Sequence, residues 1–253
     1  MFFTNLFESN LKLKNYSPKV IYYTSTNSTN EDVWDLFLEE KQDNIIVITD
    51  HQKNGKGRKN NIWFSKPGHS ITCSFLLHEV FSKEQFNFHA ILIPVAIVNA
   101  IKLFLAIDVT IKWPNDIMYD NKKLGGILIE SKKKKKYIYN VGLGINVNEA
   151  QDDFPEELKS QSISLKQIIG YPIQREPLLA YIFNELNLLI NKLDITSLTE
   201  QWMRGCCHKN TKVSFNYNNK LVSGIFKYIN ERGQAVINLN SKDIQYDGAI
   251  NIS

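Results

Sequence analysis

The segment that most constrains the fold is residues 111–130, IKWPNDIMYDNKKLGGILIE. Its apolar, β-branched start leads into Pro114, which has no N–H group and therefore ends strand pairing at Trp113. A polar tip follows, and a second apolar strand is entered through a Gly-Gly pair that ends at Gly126. Because glycine has no Cβ, a ligand or another backbone can approach that pair closely. The segment therefore predicts a hairpin that carries a polar site.

Four polar side chains flank the turn and the Gly-Gly pair of this hairpin: Lys112, Asn115, Asp116 and Lys123. Asn115 and Asp116 are expected at a strand edge with free polar groups, and Lys123 supplies a cation next to the glycines. An ordinary surface hairpin is the alternative, because Pro-Asn-Asp is common in turns.

A polar run, Ser28-Thr29-Asn30, precedes a predicted helix. Thr29 or Asn30 fits the cap of that helix, and the acidic residues that follow suit its first turn. The same position also favours a pocket for a small polar ligand, because the N–H groups of a helix N-terminus point outward beside the hydroxyls. Both interpretations are compatible with the sequence.

Residues 55–61, GKGRKNN, form a second polar segment. Its glycines let backbone N–H groups point inward, while Lys56, Arg58 and Lys59 add positive charge, which is typical of an anion-binding loop. It is not a Walker loop, because the glycine spacing and the Gly-Lys-Ser/Thr ending are absent. A flexible exposed loop is the alternative.

The rest of the chain alternates between predicted strands and helices. Strands are predicted at residues 20–24, 44–49, 70–77, 137–148, 212–215, 221–228, 234–239 and 243–246, and helices at residues 85–105, 164–169, 175–194 and 198–204. Residues 137–148 contain Gly-x-Gly at Gly142, but no third glycine and no helix follow, so this is not a dinucleotide fingerprint. The short alternating segments after residue 211 predict a small barrel similar to an SH3 fold.

Taken together, KWPND, KLGGILIE, STN, GKGRKNN and GLGIN resemble the signature of biotin–protein ligases, in the family's order. The resemblance implies an α+β fold: a mixed β-sheet with helices, similar to class II synthetases, followed by a small C-terminal SH3-like β-barrel. It also implies a catalytic domain over residues 1–208 and a C-terminal domain over residues 209–253.

The resemblance further implies a two-step, ATP- and Mg²⁺-dependent ligase. Biotin and ATP would give biotinyl-5′-AMP and diphosphate, and biotin would pass to a lysine of a biotin carboxyl carrier domain. The implied biotin contacts are Ser28, Thr29, Asn30, Gln52, Gly55, Lys56, Arg58, Lys123, Gly126 and Gly142. The implied adenylate contacts are Arg58, Lys59, Trp63, Lys112, Asn115, Asp116, Asn146 and Trp202. Lys123, Arg58 and Asp116 are the implied catalytic residues, with no protein-held metal.

The loop at residues 55–61 departs from the family pattern. Lys56 stands in place of an arginine, and Asn60 and Asn61 stand in place of a Gly-Arg pair. Lysine does not replace the bidentate contacts of arginine. Weaker retention of the intermediate is the hypothesis that follows.

Composition narrows the class of protein. The 253 residues carry 30 Lys and Arg against 26 Asp and Glu, so the net charge is +4. The three cysteines, of which Cys206 and Cys207 are adjacent, do not form a disulfide framework. We expect a cytoplasmic protein without a signal peptide or a membrane partner, since the longest apolar run is broken by Pro94. We also expect no DNA partner, because nothing before the first motif resembles a helix-turn-helix domain.

Much of the positive charge lies in the run Lys132 to Lys136 between two predicted strands. A solvated hairpin tip is one interpretation, and a contact for an acidic partner or nucleic acid is the other.

Two further functions stay open for the chain. One is a lipoate or octanoate ligase or transferase, and the other is a nucleic-acid-binding module. A homodimer also stays open, because family members pair sheet edges and residues 137–148 suit that role.

Overall fold

The computed structural model describes residues 1–13, 18–39, 42, 44–78, 80–133 and 136–252. Lys134 and Lys135 of the lysine run lie outside the described residues. The helices are α1 Thr4–Asn10, α2 Thr29–Glu39, α3 His89–Leu105, α4 Glu156–Lys159, α5 Leu165–Ile169, α6 Arg175–Asn191 and α7 Ile195–Gly205. The strands are β1 Lys19–Tyr23, β2 Ile45–Thr49, β3 Ile71–His78, β4 Thr110–Lys112, β5 Asp116–Tyr119, β6 Lys122–Lys133, β7 Tyr137–Ile145, β8 Lys212–Tyr217, β9 Lys220–Ile229, β10 Ala235–Leu239, β11 Lys242–Tyr246 and β12 Ile250–Ile252.

A seven-stranded mixed sheet forms the centre of the fold, in the order β1-β2-β3-β7-β6-β5-β4. β1 and β2 are parallel, and every other neighbouring pair is antiparallel. The predicted hairpin tip is confirmed between β5 and β6, where Asp120 and Asn121 have φ of 47° and 59°. Asparagine and aspartate tolerate this left-handed region, as a two-residue hairpin turn requires.

The interior position of β7 rules out the predicted use of residues 137–148 as a dimer edge. β7 pairs with β3 on one side and with β6 on the other along its length. Its backbone N–H and C=O groups are therefore occupied, and that expectation is wrong.

Helices cover both faces of the sheet. On one face, Val33, Trp34 and Phe37 of α2 pack over β2, β3 and the start of β7. On the other face, α3 packs against α6 and α7 and buries a larger apolar core. α3 belongs to the segment Gln85–Leu105, which is long and apolar enough to cross a membrane by length and composition. Most of that segment is buried within the fold, as in the core helix of a compact protein.

The C-terminal strands form a second sheet, antiparallel throughout, in the order β11-β10-β9-β8-β12. The predicted α+β fold with a C-terminal β-domain is thereby confirmed, although the three-residue strand β12 was missed. The apolar core continues between the two sheets, because Trp202 of α7 packs on Phe226 of β9 with 6.1 Å between ring centroids. The division at residues 208 and 209 stays a prediction.

We expect Trp202→Ala to lower the free energy of unfolding by about 3–5 kcal/mol, because a fully buried aromatic side chain would leave a cavity. Urea denaturation followed by circular dichroism measures the change. Tyr171→Ala, at a side chain that is 61% exposed, is the matched control and should change the free energy by less than about 0.5 kcal/mol. An equal loss in both variants would contradict the core position of Trp202.

Two buried histidines make stability depend on pH. Burial lowers the pKa of His89 and of His208 to about 4, below the usual value of about 6.5. Between these values the unfolded chain binds protons that the folded chain does not. Their contribution to stability is therefore complete above pH 6.5 and is lost as the pH falls toward 4.

His208→Gln should reduce the slope of unfolding free energy against pH by about 1.4 kcal/mol per pH unit in this window. Urea denaturation at several pH values between 4 and 7 gives the slope. Leu103→Ala, at an exposed side chain that does not titrate, should leave the slope unchanged. A slope that His208→Gln does not alter would show that this histidine is protonated in the folded protein.

Candidate active site

A cleft of about 250 Å³ opens where the N-terminus of α2, the loop after β2, the β4–β5 turn and strands β6, β7 and β12 meet. It brings together most residues that the sequence singled out. These are Thr29, Asn30, Gln52, Lys56, Arg58, Lys59, Trp63, Lys112, Asn115, Asp116, Lys123, Gly126 and Gly142.

The floor of the cleft is glycine backbone. A Cβ on Gly142 would collide with the side-chain oxygen of Asn30, and a Cβ on Gly144 would collide with the indole of Trp63. On Gly126 it would lie 3.3 Å from Lys123 Nζ and 3.6 Å from the Trp63 ring. The predicted close approach at these glycines is thus made by three side chains of the site itself.

One end of the cleft is a hydrogen-bonded polar wall. Gln52 Oε1 accepts hydrogen bonds from the Thr29 N–H at 2.8 Å and from Thr29 Oγ1 at 3.0 Å. Ser74 Oγ lies 2.7 Å from Thr29 Oγ1 and donates to Asn30 Oδ1 at 2.6 Å. α2 begins at Thr29, so Thr29 and Asn30 belong to its first turn and neither caps the helix as predicted.

Polar atoms in and beside this wall are buried without a hydrogen-bond partner among the described residues. They are Asn30 Nδ2, Ser28 Oγ, Thr72 Oγ1 and the indole nitrogen of Trp63. An unpaired buried polar atom costs about 1–3 kcal/mol, and a ligand with matching donors and acceptors removes that penalty. Asn30 and Thr72 line the cleft directly, so this end suits a small polar head group.

The other end of the cleft concentrates positive charge. Lys123 Nζ lies 2.7 Å from Asp116 Oδ1, and Arg58 Nη1 donates to Asn115 Oδ1 at 3.0 Å. Burial lowers the pKa of Arg58, which the nearby Asp116 carboxylate partly offsets. Lys112 lines the same wall. These cations can bind an anion and stabilise negative charge that develops on it.

The backbone holds Lys123 and Asn115 in place. The Lys123 N–H donates to Gln161 O at 2.7 Å, and Lys123 O accepts from Ile163 N at 3.0 Å. A register shift between β5 and β6 places Lys123 opposite Met118. Asn115 donates through Nδ2 to Ile127 O at 2.8 Å and accepts from Ile127 N at 3.0 Å. Positioning groups that are themselves fixed is what a preorganised site requires.

The GKGRKNN loop forms a small hairpin beside the cleft. Gly57 N donates to Asn61 O at 2.7 Å, and Trp63 N donates to Gly55 O at 2.9 Å. An ion pair of 2.5 Å joins Lys56 to Glu31 in the first turn of α2, and this carboxylate raises the pKa of Lys56. The loop is therefore anchored to the helix that carries the polar wall.

A family model described as the biotin/lipoate A/B protein ligase family matches residues 22–148, about half of the chain. The chain belongs to that family. It is similar to the bifunctional ligase/repressor BirA of Bacillus spizizenii, with 34% identity over 174 residues that cover 68% of this chain and 54% of that protein. It is 29% identical to the biotin–protein ligase of Homo sapiens over 202 residues, which cover 74% and 27% of the two chains. The chain thus spans about half the length, or less, of these relatives.

Solved structures share the fold of this ligase-family chain. The biotin protein ligase of Aquifex aeolicus in complex with biotin and ATP has a TM-score of 0.78 at 24% identity, covering 93% of this chain and 99% of that one. The biotin protein ligase of Leishmania major in complex with biotinyl-5-AMP has a TM-score of 0.66 at 18% identity, covering 94% and 99%. At these identities the likeness establishes the architecture.

Four residues that the resemblance placed in the site of this ligase-family chain do not line the main cleft. Ser28 is buried at the start of α2, and Gly55 packs against the backbone of Trp63. Asn146 lies behind Lys123, where its amide donates to Ile163 O at 3.1 Å. Trp202 is fully buried and packs edge-on against Trp113. With no exposed face, Trp202 cannot stack on a ligand, so that expectation is corrected.

A second, smaller cavity of about 90 Å³ adjoins Lys123. Its lining is mostly apolar and aromatic, with one amide: Ile62, Trp63, Phe64, Lys123, Asn146, Phe154, Leu158 and Ser162. Sequence reasoning missed Phe64, Phe154 and Leu158. The aromatic residue directly after Trp63 was the one available signal, because Phe154 and Leu158 come from a distant polar segment, with Leu158 in the short helix α4.

Protein groups suited to holding a metal ion were sought among the residues that the structure describes. In the part of the chain that the structure describes, no three His, Cys, Asp or Glu side chains come together at metal-binding spacing. Magnesium usually binds proteins through one or two carboxylates together with substrate phosphates. The cleft contains the Asp116 carboxylate, which fits a shared site of that kind.

Gly142→Ala should disrupt the polar wall, because the new methyl group collides with the Asn30 side chain. We expect a loss of about 1–3 kcal/mol of unfolding free energy, measured by urea denaturation. The control is Ala150→Gly, at an exposed residue just before a 3₁₀ turn. A stable Gly142→Ala variant would show that Asn30 is free to move.

Proposed function

We propose that this chain is an ATP-dependent biotin–protein ligase that makes biotinyl-5′-AMP and transfers biotin to a lysine of a biotin carboxyl carrier domain. The observation that carries the proposal is the juxtaposition of the polar wall and the Lys123 cations on one glycine floor. The names of its relatives support the ligase activity, and the A. aeolicus structure holds biotin and ATP on the same fold. Only the ligase part of the first relative's name is carried to this chain.

Biotin would lie along the glycine floor with its ureido group at the polar wall. Thr29, Asn30 and Gln52 offer donors and acceptors there, and Asn30 Nδ2 has no partner among the described residues. The Trp63 indole lies against Gly144 and supplies an apolar side wall. The carboxylate end of biotin would then point toward Lys123.

The first step joins two anions, so their repulsion must be cancelled. A biotin carboxylate oxygen attacks the α-phosphorus of ATP, the bond to the bridging oxygen breaks, and diphosphate leaves with that electron pair. We assign Lys123 to bridge the carboxylate and the α-phosphate, and Arg58 and Lys112 to the phosphates. Mg²⁺ accompanies ATP as part of the substrate and neutralises phosphate charge. Lys56 and Lys59 add positive charge from the loop.

The adenine would occupy the small cavity beyond Lys123. Phe64, Phe154 and Trp63 give this cavity apolar walls, and Asn146 gives it an amide. A flat heteroaromatic base suits aromatic walls, and an amide can read its edge. Lys123 and Trp63 line both cavities, so the bond between biotin and the nucleotide would form beside Lys123.

The second step needs a neutral amine. The acceptor lysine has an ordinary pKa of about 10.4 and must lose a proton before it attacks the acyl carbon and displaces AMP. Asp116 is the carboxylate paired with Lys123 at 2.7 Å. We assign Asp116 to orient Lys123, and its carboxylate, which lines the cleft, is the candidate to accept the proton. The anchored GKGRKNN loop would shield the mixed anhydride from water.

The family description also names lipoate ligases, so lipoate is the second candidate substrate. A transferase of that type that uses a cysteine nucleophile fits the cleft poorly. Cys73 lines the cleft, and burial raises its pKa to about 12. A thiol in that state is a weak nucleophile at neutral pH. We propose a cytoplasmic location, because the three free cysteines suit a reducing compartment.

Diphosphate release with ATP and Mg²⁺, measured with biotin and lipoate side by side and no carrier, tests the proposal. We expect a biotin-dependent burst of about one equivalent in the wild type, since one adenylate forms per site. Weaker retention of the intermediate by the altered loop at residues 55–61 predicts that diphosphate release continues after this burst. Lys123→Ala should lower the rate of this burst by about 10²-fold or more, because it removes the bridging cation. Release with lipoate alone would reject biotin as the substrate.

Lys192→Ala is the matched control, because Lys192 is exposed at the end of α6 and does not line the cleft. A burst of normal rate in Lys123→Ala would reject the role of Lys123 and leave the ligase assignment intact.

A further inference from the structure

The hairpin between β6 and β7 presents fixed positive charge. Lys132, Lys133 and Lys136, here named the basic tip, are exposed. Lys132 Nζ lies 4.4 Å from the centroid of the Trp34 ring, and Lys133 Nζ lies 5.7 Å from that of Tyr137. Cation–π contacts of this kind hold a lysine in place without neutralising its charge.

β6 connects the basic tip to the cleft. Gly126 and Leu128 of β6 line the cleft, and Lys132 lies four residues farther along the same strand. At about 3.3 Å per residue, Leu128 and Lys132 are roughly 13 Å apart. A protein that docks on a surface covers about 800 Å², a patch of roughly 16 Å radius. A partner that places a lysine in the cleft therefore reaches the basic tip.

The loop after β2, which lies along β6, adds two more cations without a carboxylate partner in the described part of the chain. Lys53 and Lys59 are exposed and line a groove that also contains Leu128 and Glu130 of β6. Among the described residues, no carboxylate lies within ion-pair distance of Lys53, Lys59 or the basic tip. By contrast, Lys56 in the same loop is paired with Glu31, and Glu130 accepts a hydrogen bond from Trp34.

α2 lies beside the basic tip, because the ring of its Trp34 contacts Lys132. α2 carries Asp35 and Glu39, which are both exposed. An acidic partner would be repelled there and attracted to the basic tip and the loop, so the charge pattern favours one orientation. A nucleic acid fits less well, because the Trp34 ring is buried and a lysine ammonium lies near the Tyr137 ring, where a base would have to stack.

We propose that the basic tip, together with Lys53 and Lys59, is the docking surface for an acidic face of the carrier domain whose lysine enters the cleft. The inference rests on the proposed function and names the chemistry of its protein partner. Complementary charge of this kind raises the rate of encounter and is weakened by salt.

The test compares the two half-reactions in the double variant Lys132→Glu/Lys133→Glu. Biotin-dependent diphosphate release reports adenylation, and labelling of an isolated, unbiotinylated biotin carboxyl carrier domain reports transfer. We expect adenylation at the wild-type rate, and a KM for the carrier raised by about tenfold or more at low salt with kcat unchanged. Added salt should weaken transfer by the wild type and have little effect on transfer by the variant.

Lys12→Glu/Lys192→Glu is the control, with the same change of charge at exposed lysines beyond α1 and α6. It should transfer biotin as the wild type does. A basic-tip variant with normal adenylation and a wild-type carrier KM would overturn the docking surface and leave the ligase assignment standing. A wild type without biotin-dependent diphosphate release would instead overturn the proposed function. Loss of binding to labelled single-stranded DNA, with an unchanged carrier KM, would assign the tip to nucleic acid and reject the proposal.

Discussion

The absence of side chains on the floor of the cleft is the constraint on which the site depends. Gly142 and Gly144 alternate along β7, so both face the same side of the sheet. Asn30 and Trp63 occupy the space that their Cβ atoms would fill. The polar wall and the aromatic wall therefore rest directly on backbone. Larger residues at these positions would separate the two walls from the sheet.

Three cations of the site are held by other protein side chains before any ligand arrives. Lys123 is paired with Asp116, Arg58 is held by Asn115, and Lys56 is joined to Glu31. These partners fix the cations near the positions where phosphate and carboxylate oxygens would lie, so little reorganisation is needed during the reaction. Lys123 and Asp116 are each partly exposed, so the pair itself adds little to stability. The pair instead holds the Lys123 ammonium in a fixed position.

Local signals were enough to find most of the fold and much of the site. Alternating apolar residues and turn pairs located the strands, and the glycine-rich segments located the floor and the loop. What the sequence could not give is distance between remote segments. Trp202 has the residue type of a stacking platform, yet α7 carries it into the core beside Trp113. Phe154 reaches the small cavity from a polar loop, and β7 lies inside the sheet because β6 returns beside it. Each of these depends on chain topology and leaves no local pattern.

The C-terminal sheet contacts the β4–β5 turn and forms part of the cleft wall. The indole of Trp113 donates a hydrogen bond to Gly248 O at 2.8 Å, and Ala249, Ile250 and Asn251 line the cleft. Trp113 also packs on Trp202, which packs on Phe226 of the second sheet. The turn that carries Asn115 and Asp116 thus packs, through Trp113, on a core that both sheets share. Loosening that core would move the turn, so the small C-terminal sheet contributes to the geometry of the site as well as to its wall.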